Sequence, residues 1–178
     1  MRTCQFILSF CILCVSSVLF AQDYGPVIQH FGPTWEVDNP DYPTRSDMPY
    51  RVVFDVAKGP ESPAEENPSL ITLARFLNMH AQAGVPLEKL QVIAVMHGGA
   101  SKHALDDAGY QERYGVVNPH TDLFRQLREA GVELYLCGQS MHARKLPRES
   151  INPNIGLALS AMTVLIKAQA EGYSVISM

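Results

Sequence analysis

Cys137 is the residue in this sequence best suited to covalent chemistry. Three of the four cysteines, Cys4, Cys11 and Cys14, lie close to the amino terminus, and Cys137 stands alone in the remainder. If the amino-terminal segment is removed, Cys137 has no intrachain partner and is not half of a structural disulfide. A thiolate is the strongest nucleophile that a side chain offers near neutral pH. Cys137 also comes directly after the apolar run Val132-Glu133-Leu134-Tyr135-Leu136 and opens the turn Cys137-Gly138-Gln139-Ser140. That is the carboxyl end of a predicted strand, where open α/β sheets bind their ligands. A second run, Leu90 to Val95, delivers His97 to the equivalent place ahead of Gly98-Gly99. The candidate constellation is therefore Cys137 with His97 as reacting groups, and Gly98, Gly99, Gly138, Gln139 and Ser140 as a binding backbone.

The thiol needs help from its surroundings. At an ordinary pKa near 8.5 only about 3% of it is ionised at pH 7, and a pKa near 6.5 raises this to roughly 75%. A Brønsted slope of about 0.4 to 0.5 returns roughly eightfold of that gain of about 25-fold, so geometry has to supply the rest. A short helix capped by Ser140 is expected to aim backbone N–H groups at the sulfur. His97 is expected to add a hydrogen bond or a positive charge.

Other readings of the same residues stay open. A thiol at a strand end also serves as small apolar packing, and a histidine there also anchors a turn. Gly98-Gly99 lacks the lysine and hydroxyl of a phosphate-binding loop and reads better as a tight turn. A soft-metal site from Cys137, His142 and His97 has no paired-cysteine or His-Glu-x-x-His pattern behind it, so no metal and no cofactor are expected. A cysteine hydrolase is weaker still. His103, His120 and His142 sit in polar segments and are predicted to be solvated, and His80 to lie on a helix surface or a subunit contact. Glu65-Glu66 and Asp106-Asp107 read as loop and helix-start charge.

The rest of the chain supplies the elements that position these residues. Arg2, the apolar stretch from Phe6 to Phe20 and the small residue Ala21 form a secretory leader pattern, residues 1–21, too short and serine-broken for a stable membrane span. Cleavage there implies a periplasmic or secreted protein. It also removes Arg2, so the 14 basic residues of the whole chain fall by one against 18 acidic ones. A mildly acidic domain of that length has no basic footprint for nucleic acid or anionic lipid, and it can bury a core without metals or disulfides. Residues 22–49 carry Pro26, Pro33, Pro40, Pro43 and Pro49 with no apolar period and read as an extended arm over the domain or a neighbouring subunit. Its aromatic residues, Trp35 among them, argue against a wholly solvated spacer.

From Tyr50 onward strands and helices alternate. Arg51 to Val56 is the first strand. Asn67-Pro68 caps a helix whose Leu70, Leu73, Ala74, Leu77 and Ala81 recur at helical spacing as far as Gly84. A broken helical region runs from Ser101 to Tyr114, and Asn118-Pro119 opens a third helix that ends before Gly131. Next come a weak strand near Ile155 to Leu159, a helix after Ser160 and an edge strand from Tyr173 to Ile176. Repeated units of this length predict a mainly parallel sheet with right-handed crossovers.

The strand Phe54-Asp55-Val56, the helix Ala74-Arg75-Phe76-Leu77-Asn78-Met79-His80, and the turns His97-Gly98-Gly99 and Leu136-Cys137-Gly138-Gln139-Ser140 come in one order and spacing. From Tyr50 to the carboxyl terminus, with Ser160-Ala161-Met162-Thr163 and Gly172-Tyr173, the chain resembles the DsrE/DsrF-like family. The resemblance implies a three-layer α/β/α sandwich with a mainly parallel five-stranded sheet, assembled as a homo-oligomer, trimer or hexamer. For sulfur-relay members it also implies a cysteine that carries sulfane sulfur as a persulfide, and Cys137 is the matching position. The leading expectation is an exported carrier that receives sulfur on Cys137 and passes it to a partner protein. The alternative is a noncatalytic oligomeric module that holds a small ligand at the strand ends.

Overall fold

In the computed structural model, β1 (Tyr50–Val56) lies between β2 (Leu90–Met96) and β5 (Ser174–Ser177), and β3 (Glu133–Cys137) joins β2 to β4 (Gly156–Ala158). The structure describes residues 24–178; the leader and Cys4, Cys11 and Cys14 lie outside the described residues. The sheet order is β4-β3-β2-β1-β5, and every pairing is parallel, so the sheet is wholly parallel.

Strand alternation divides the core in two. Val52, Phe54 and Val56 of β1, Val92, Ala94 and Met96 of β2, and Leu134 and Leu136 of β3 face one side. There they meet Leu70, Leu73 and Leu77 of α1 (Pro68–Gln82), Tyr110 of α2 (Asp107–Tyr114) and Leu123, Phe124 and Leu127 of α3 (Thr121–Glu129). The alternate residues Val53, Ile93, Val95, Tyr135 and Cys137 face the opposite side. Ala161, Val164, Leu165 and Ala168 of α5 (Ala161–Ala170) cover them. A helix layer on each face makes the three-layer sandwich, with period two in the strands fixing which residues go where. The edges are short: β4 has three residues and β5 four. Among the described residues no helix is long and apolar enough to cross a membrane.

The proline-rich arm is two pieces. Ile28, Phe31 and Thr34 are buried against α1 and α3, whereas Trp35 is 53% exposed and residues 36–49 lie in solvent. Asn78 of α1 accepts from the N–H groups of Val27 and Ile28 and donates to the carbonyls of Ile28, Phe31 and Gly32. Gly32 has φ +61°, and a side chain there would run into the Ala74 and Arg75 backbone, so only glycine lets the arm lie this close to α1.

Two expectations for histidines are overturned. His103 and His120 are fully buried rather than solvated. Their polar neighbours are their partners. His120 Nε2 accepts the Asn67 N–H at 2.7 Å at the start of α1, and Asn118 donates to the His103 and Leu105 carbonyls. His103 stacks on Tyr110 and meets His120 edge to face at 4.6 Å. Burial first, and then the nearby Lys102 charge, lowers the His103 pKa to about 4. Burial, with His103 and Lys102 beside it, lowers His120 to about 3. His142 is exposed, and His80 is half-buried against Tyr50 and Phe76.

Candidate functional site at the carboxyl edge of the sheet

Cys137 ends β3 and is also the N-cap of α4 (Gly138–Ala143), so strand passes into helix with no intervening loop. Ser140, the expected cap, lies one turn further in, because the helix starts at Gly138. Gly138 permits this. A Cβ on it would come within 2.9 Å of the Ala158 carbonyl and 3.3 Å of the Leu159 carbonyl, so a side chain would push α4 away from β4. Gln139 reinforces the junction by donating from Nε2 to the Leu159 carbonyl at 3.3 Å.

The first turn of a helix leaves N–H groups without intrahelical partners. Two such turns converge on the sulfur. The backbone N–H groups of Gln139 and Ser140 of α4 and of Ala161 of α5, with the Ser140 hydroxyl, lie near enough to Cys137 to favour its ionised form, although the thiol does not cap α4 by a hydrogen bond. Ser160 makes the α5 donor available: its Oγ accepts the Thr163 N–H at 3.1 Å and caps the helix from the side, leaving the Ala161 N–H for the thiol. Burial raises the Cys137 pKa, but the contacts from Ser140, Ala161 and Gln139 outweigh it and hold the thiol below its ordinary value. The side chain is 5% exposed, among Val95, Tyr135, Ala161, Val164 and Leu165.

His97 is one residue past the Met96–Leu136 pairing, which makes it the neighbour of Cys137 across β2 and β3. Its N–H continues the ladder to the Val56 carbonyl at 3.0 Å. By alternation its side chain emerges on the same face as Cys137. The ring, however, bonds to Asp55, with Nε2 to Oδ1 at 2.7 Å, and not to the sulfur as expected. A carboxylate within reach is a stronger partner for an imidazole than a buried thiol. Gly98 and Gly99 are structural neighbours of this edge. A Cβ on Gly98 would lie 2.9 Å from the Ala57 carbonyl, and the Gly98 N–H donates to Ser140 Oγ at 3.2 Å. That last bond ties the His97 turn to the residue that contacts the thiol.

Sequence reasoning missed two contributors. Asp55 was readable as the one carboxylate of an otherwise apolar strand end, on the parity that β1 shares with Val53. The Ala161 N–H was not readable, because the approach of a helix start 24 residues beyond the cysteine depends on the sheet order.

Among the described residues no three His, Cys, Asp or Glu side chains converge as a metal site. The larger clefts lie elsewhere. One of about 600 Å³ runs between the arm and α3, lined by Gln29, His30, Asp122 and Arg125, and one of about 500 Å³ lies at the amino ends of β2 and β3, lined by Leu90, Gln91 and Glu133.

Comparison with curated proteins found no match. Among solved structures the chain is similar to a protein of unknown function, MTH1491 from Methanobacterium thermoautotrophicum. The TM-score is 0.55 at 19% identity, covering 72% of this chain and 99% of that one. It is also similar to the ychN protein from E. coli, with a TM-score of 0.53 at 16% identity and the same coverage of both chains. At such identities these likenesses speak for the fold alone. The model of the DsrE/DsrF-like family matches residues 51–178, which holds every strand but the first residue of β1 and the whole carboxyl edge around Cys137. The chain belongs to the DsrE/DsrF-like family.

Proposed function

We propose that the protein carries sulfane sulfur as a persulfide on Cys137 and passes it to a partner. The observation that carries this reading is the convergence of the α4 and α5 first turns on one thiol, which holds its pKa down despite burial. The donors that stabilise a thiolate also suit sulfur transfer, because the inner sulfur of a persulfide keeps the place of Sγ and leaves as the thiolate when the outer sulfur is passed on. Gly138, Gln139 and Ser140 supply that cradle, and Gly98 locks it through Ser140. The family to which the chain belongs supports a sulfur-relay type of chemistry.

The same reading includes export behind the leader of residues 1–21 and self-association. Leu159, Met162 and Ile166 are 73%, 69% and 67% exposed on the β4–α5 side, next to Cys137, an apolar rim suited to another protein surface. A sulfur donor or acceptor has to reach a thiol that is nearly covered, so delivery requires close docking at this rim.

Incubation of the chain from Gln22 onward, in which Cys137 is the one cysteine, with polysulfide and then mass spectrometry of the intact protein tests the proposal. One sulfur atom gained by the wild type and none by Cys137→Ser is the expected result. A thiol that takes up no sulfur and resists alkylation in the folded protein overturns it. That outcome would favour a noncatalytic module holding a small ligand, a second reading supported by the depth of Cys137 and by the clefts that lie away from it.

A further inference from the structure

β1 carries one carboxylate, Asp55, on the face that otherwise presents Val53 to α5. Placing a carboxylate beside a helix-covered sheet face is unfavourable unless a partner satisfies it. Its partner is His97, in a contact of 2.7 Å between side chains that are 20% and 30% exposed. The other ring nitrogen of His97, Nδ1, has no hydrogen-bond partner among the described residues. In an imidazole one nitrogen carries the proton and the other the lone pair, and the partner of the first decides which is which. A carboxylate only accepts, so the Asp55 contact assigns the proton to Nε2 and leaves the lone pair on Nδ1.

We propose that Asp55 is a positioning residue for sulfur transfer at Cys137: it fixes the His97 ring with Nδ1 as the basic atom at the neighbouring strand end. This role rests on the carrier reading of Cys137. The register places His97 directly across from Cys137, and the Gly98 N–H to Ser140 Oγ bond fixes the turn that holds it against the cradle.

In the transfer step an acceptor thiol gives its proton to His97 Nδ1, and the resulting thiolate attacks the outer, protonated sulfur of the Cys137 persulfide. A new sulfur–sulfur bond forms to the acceptor. The bond between the two persulfide sulfurs breaks, and its electron pair stays on Cys137 as a thiolate held by the Gln139, Ser140 and Ala161 N–H groups. The proton on Nδ1 then returns to Cys137. One thiol and one persulfide enter, one thiol and one persulfide leave, and no outside oxidant or reductant takes part. Asp55 touches neither sulfur. Its role is to keep the ring from rotating and from presenting an N–H where a lone pair is needed.

The test loads the protein without its leader, the chain from Gln22 onward, in which Cys137 is the one cysteine, with inorganic polysulfide and monitors release of sulfur to glutathione. Asp55→Asn is expected to load to the same extent as wild type but to release sulfur at least about tenfold more slowly. A positioned base contributes about 10²- to 10⁴-fold, and loss of its orientation forfeits part of that. His97→Gln is expected to be slower still, and Asp55→Asn added to His97→Gln to cost nothing more, because one residue acts through the other. Slowed release at unchanged loading is the readout that a merely structural role would leave unmoved, and nitrogen-15 spectra of the His97 ring report the tautomer behind it: proton on Nε2 in the wild type, a mixture of tautomers in Asp55→Asn. A wild type that loads and an Asp55→Asn variant that releases at the same rate overturn the role of Asp55 alone, as does a wild-type ring protonated on Nδ1. A wild type that never loads overturns the carrier reading itself, while the ring spectra still report the Asp55 contact.

Discussion

Asn78 and Ile28 bond to each other twice. The Ile28 N–H donates to Asn78 Oδ1 at 2.8 Å, and Asn78 Nδ2 donates to the Ile28 carbonyl at 3.0 Å. One side chain on α1 therefore completes the backbone of a segment that has no strand or helix to do so. The carboxamide is fully buried, and the residues it secures, Ile28 and Phe31, belong to the main core.

Asn78→Ala should release residues 25–34 from α1. It leaves several buried backbone groups without partners, each costing about 1–3 kcal/mol, so a total loss of roughly 3 kcal/mol or more is expected. Urea unfolding reads the stability. Limited proteolysis should show new cleavage between Gly25 and Thr34. Unchanged stability and an intact arm would mean that the contacts formed by Ile28 and Phe31 suffice without the clamp.

Ser140→Ala removes a hydroxyl that both contacts the thiol and accepts the Gly98 N–H. The Cys137 pKa should rise, because one of the contacts holding it down is lost. A hydrogen bond to a charged group is worth about 1.5 kcal/mol at the low end, so the thiolate population near neutral pH should fall by about tenfold. Ultraviolet absorbance of the thiolate across pH measures this directly. The fold should survive, since Ser140 is half-buried at the surface of a short helix. A thiolate population equal to wild type would mean that the backbone donors alone set the acidity of the sulfur.

Stability should fall with acid well before the carboxylates titrate. His103 and His120 have folded pKa values of about 4 and about 3, below the roughly 6.5 of an unfolded chain. A base whose folded pKa is depressed contributes fully above the unfolded value, and that contribution is lost as pH falls from about 6.5 towards the folded value. By pH 5.5 each histidine should have cost about 1.4 kcal/mol. Denaturant midpoints at pH 7.5 and 5.5 check this. His103→Phe should keep the stack on Tyr110 and remove the buried, unpartnered Nε2, flattening the slope by about half. An equal slope in that variant would assign the acid sensitivity elsewhere.

Sequence patterns carried the layers of the fold well, because burial enforces them. Period two in β1 and β2 and helical spacing from Leu70 to Leu77 leave few alternatives for which faces meet. The same logic placed Cys137 and His97 at strand ends. Details that depend on close approach were not legible. Ser140 has the chemistry of a cap, yet α4 starts at Gly138 because a missing side chain lets it pass under the Ala158 carbonyl. His103 and His120 stand among polar residues, and a sequence does not say whether such neighbours are solvent-facing or are the buried partners themselves. The arm was legible as proline-rich and aperiodic, but the irregular path from Gly25 to Thr34 is held by Asn78, which helical periodicity marks only as one more residue of α1.

The donors around Cys137 come from two places in the chain, residues 139–140 and residue 161, and the second arrives only when β4 has joined the edge of the sheet and α5 has settled over it. Until that happens the sulfur is an ordinary cysteine. A chain part-way through folding, or one clipped between Ala143 and Ser160, would ionise this sulfur only at a higher pH, so the pH at which thiolate absorbance appears is a gauge of whether this half of the molecule is finished.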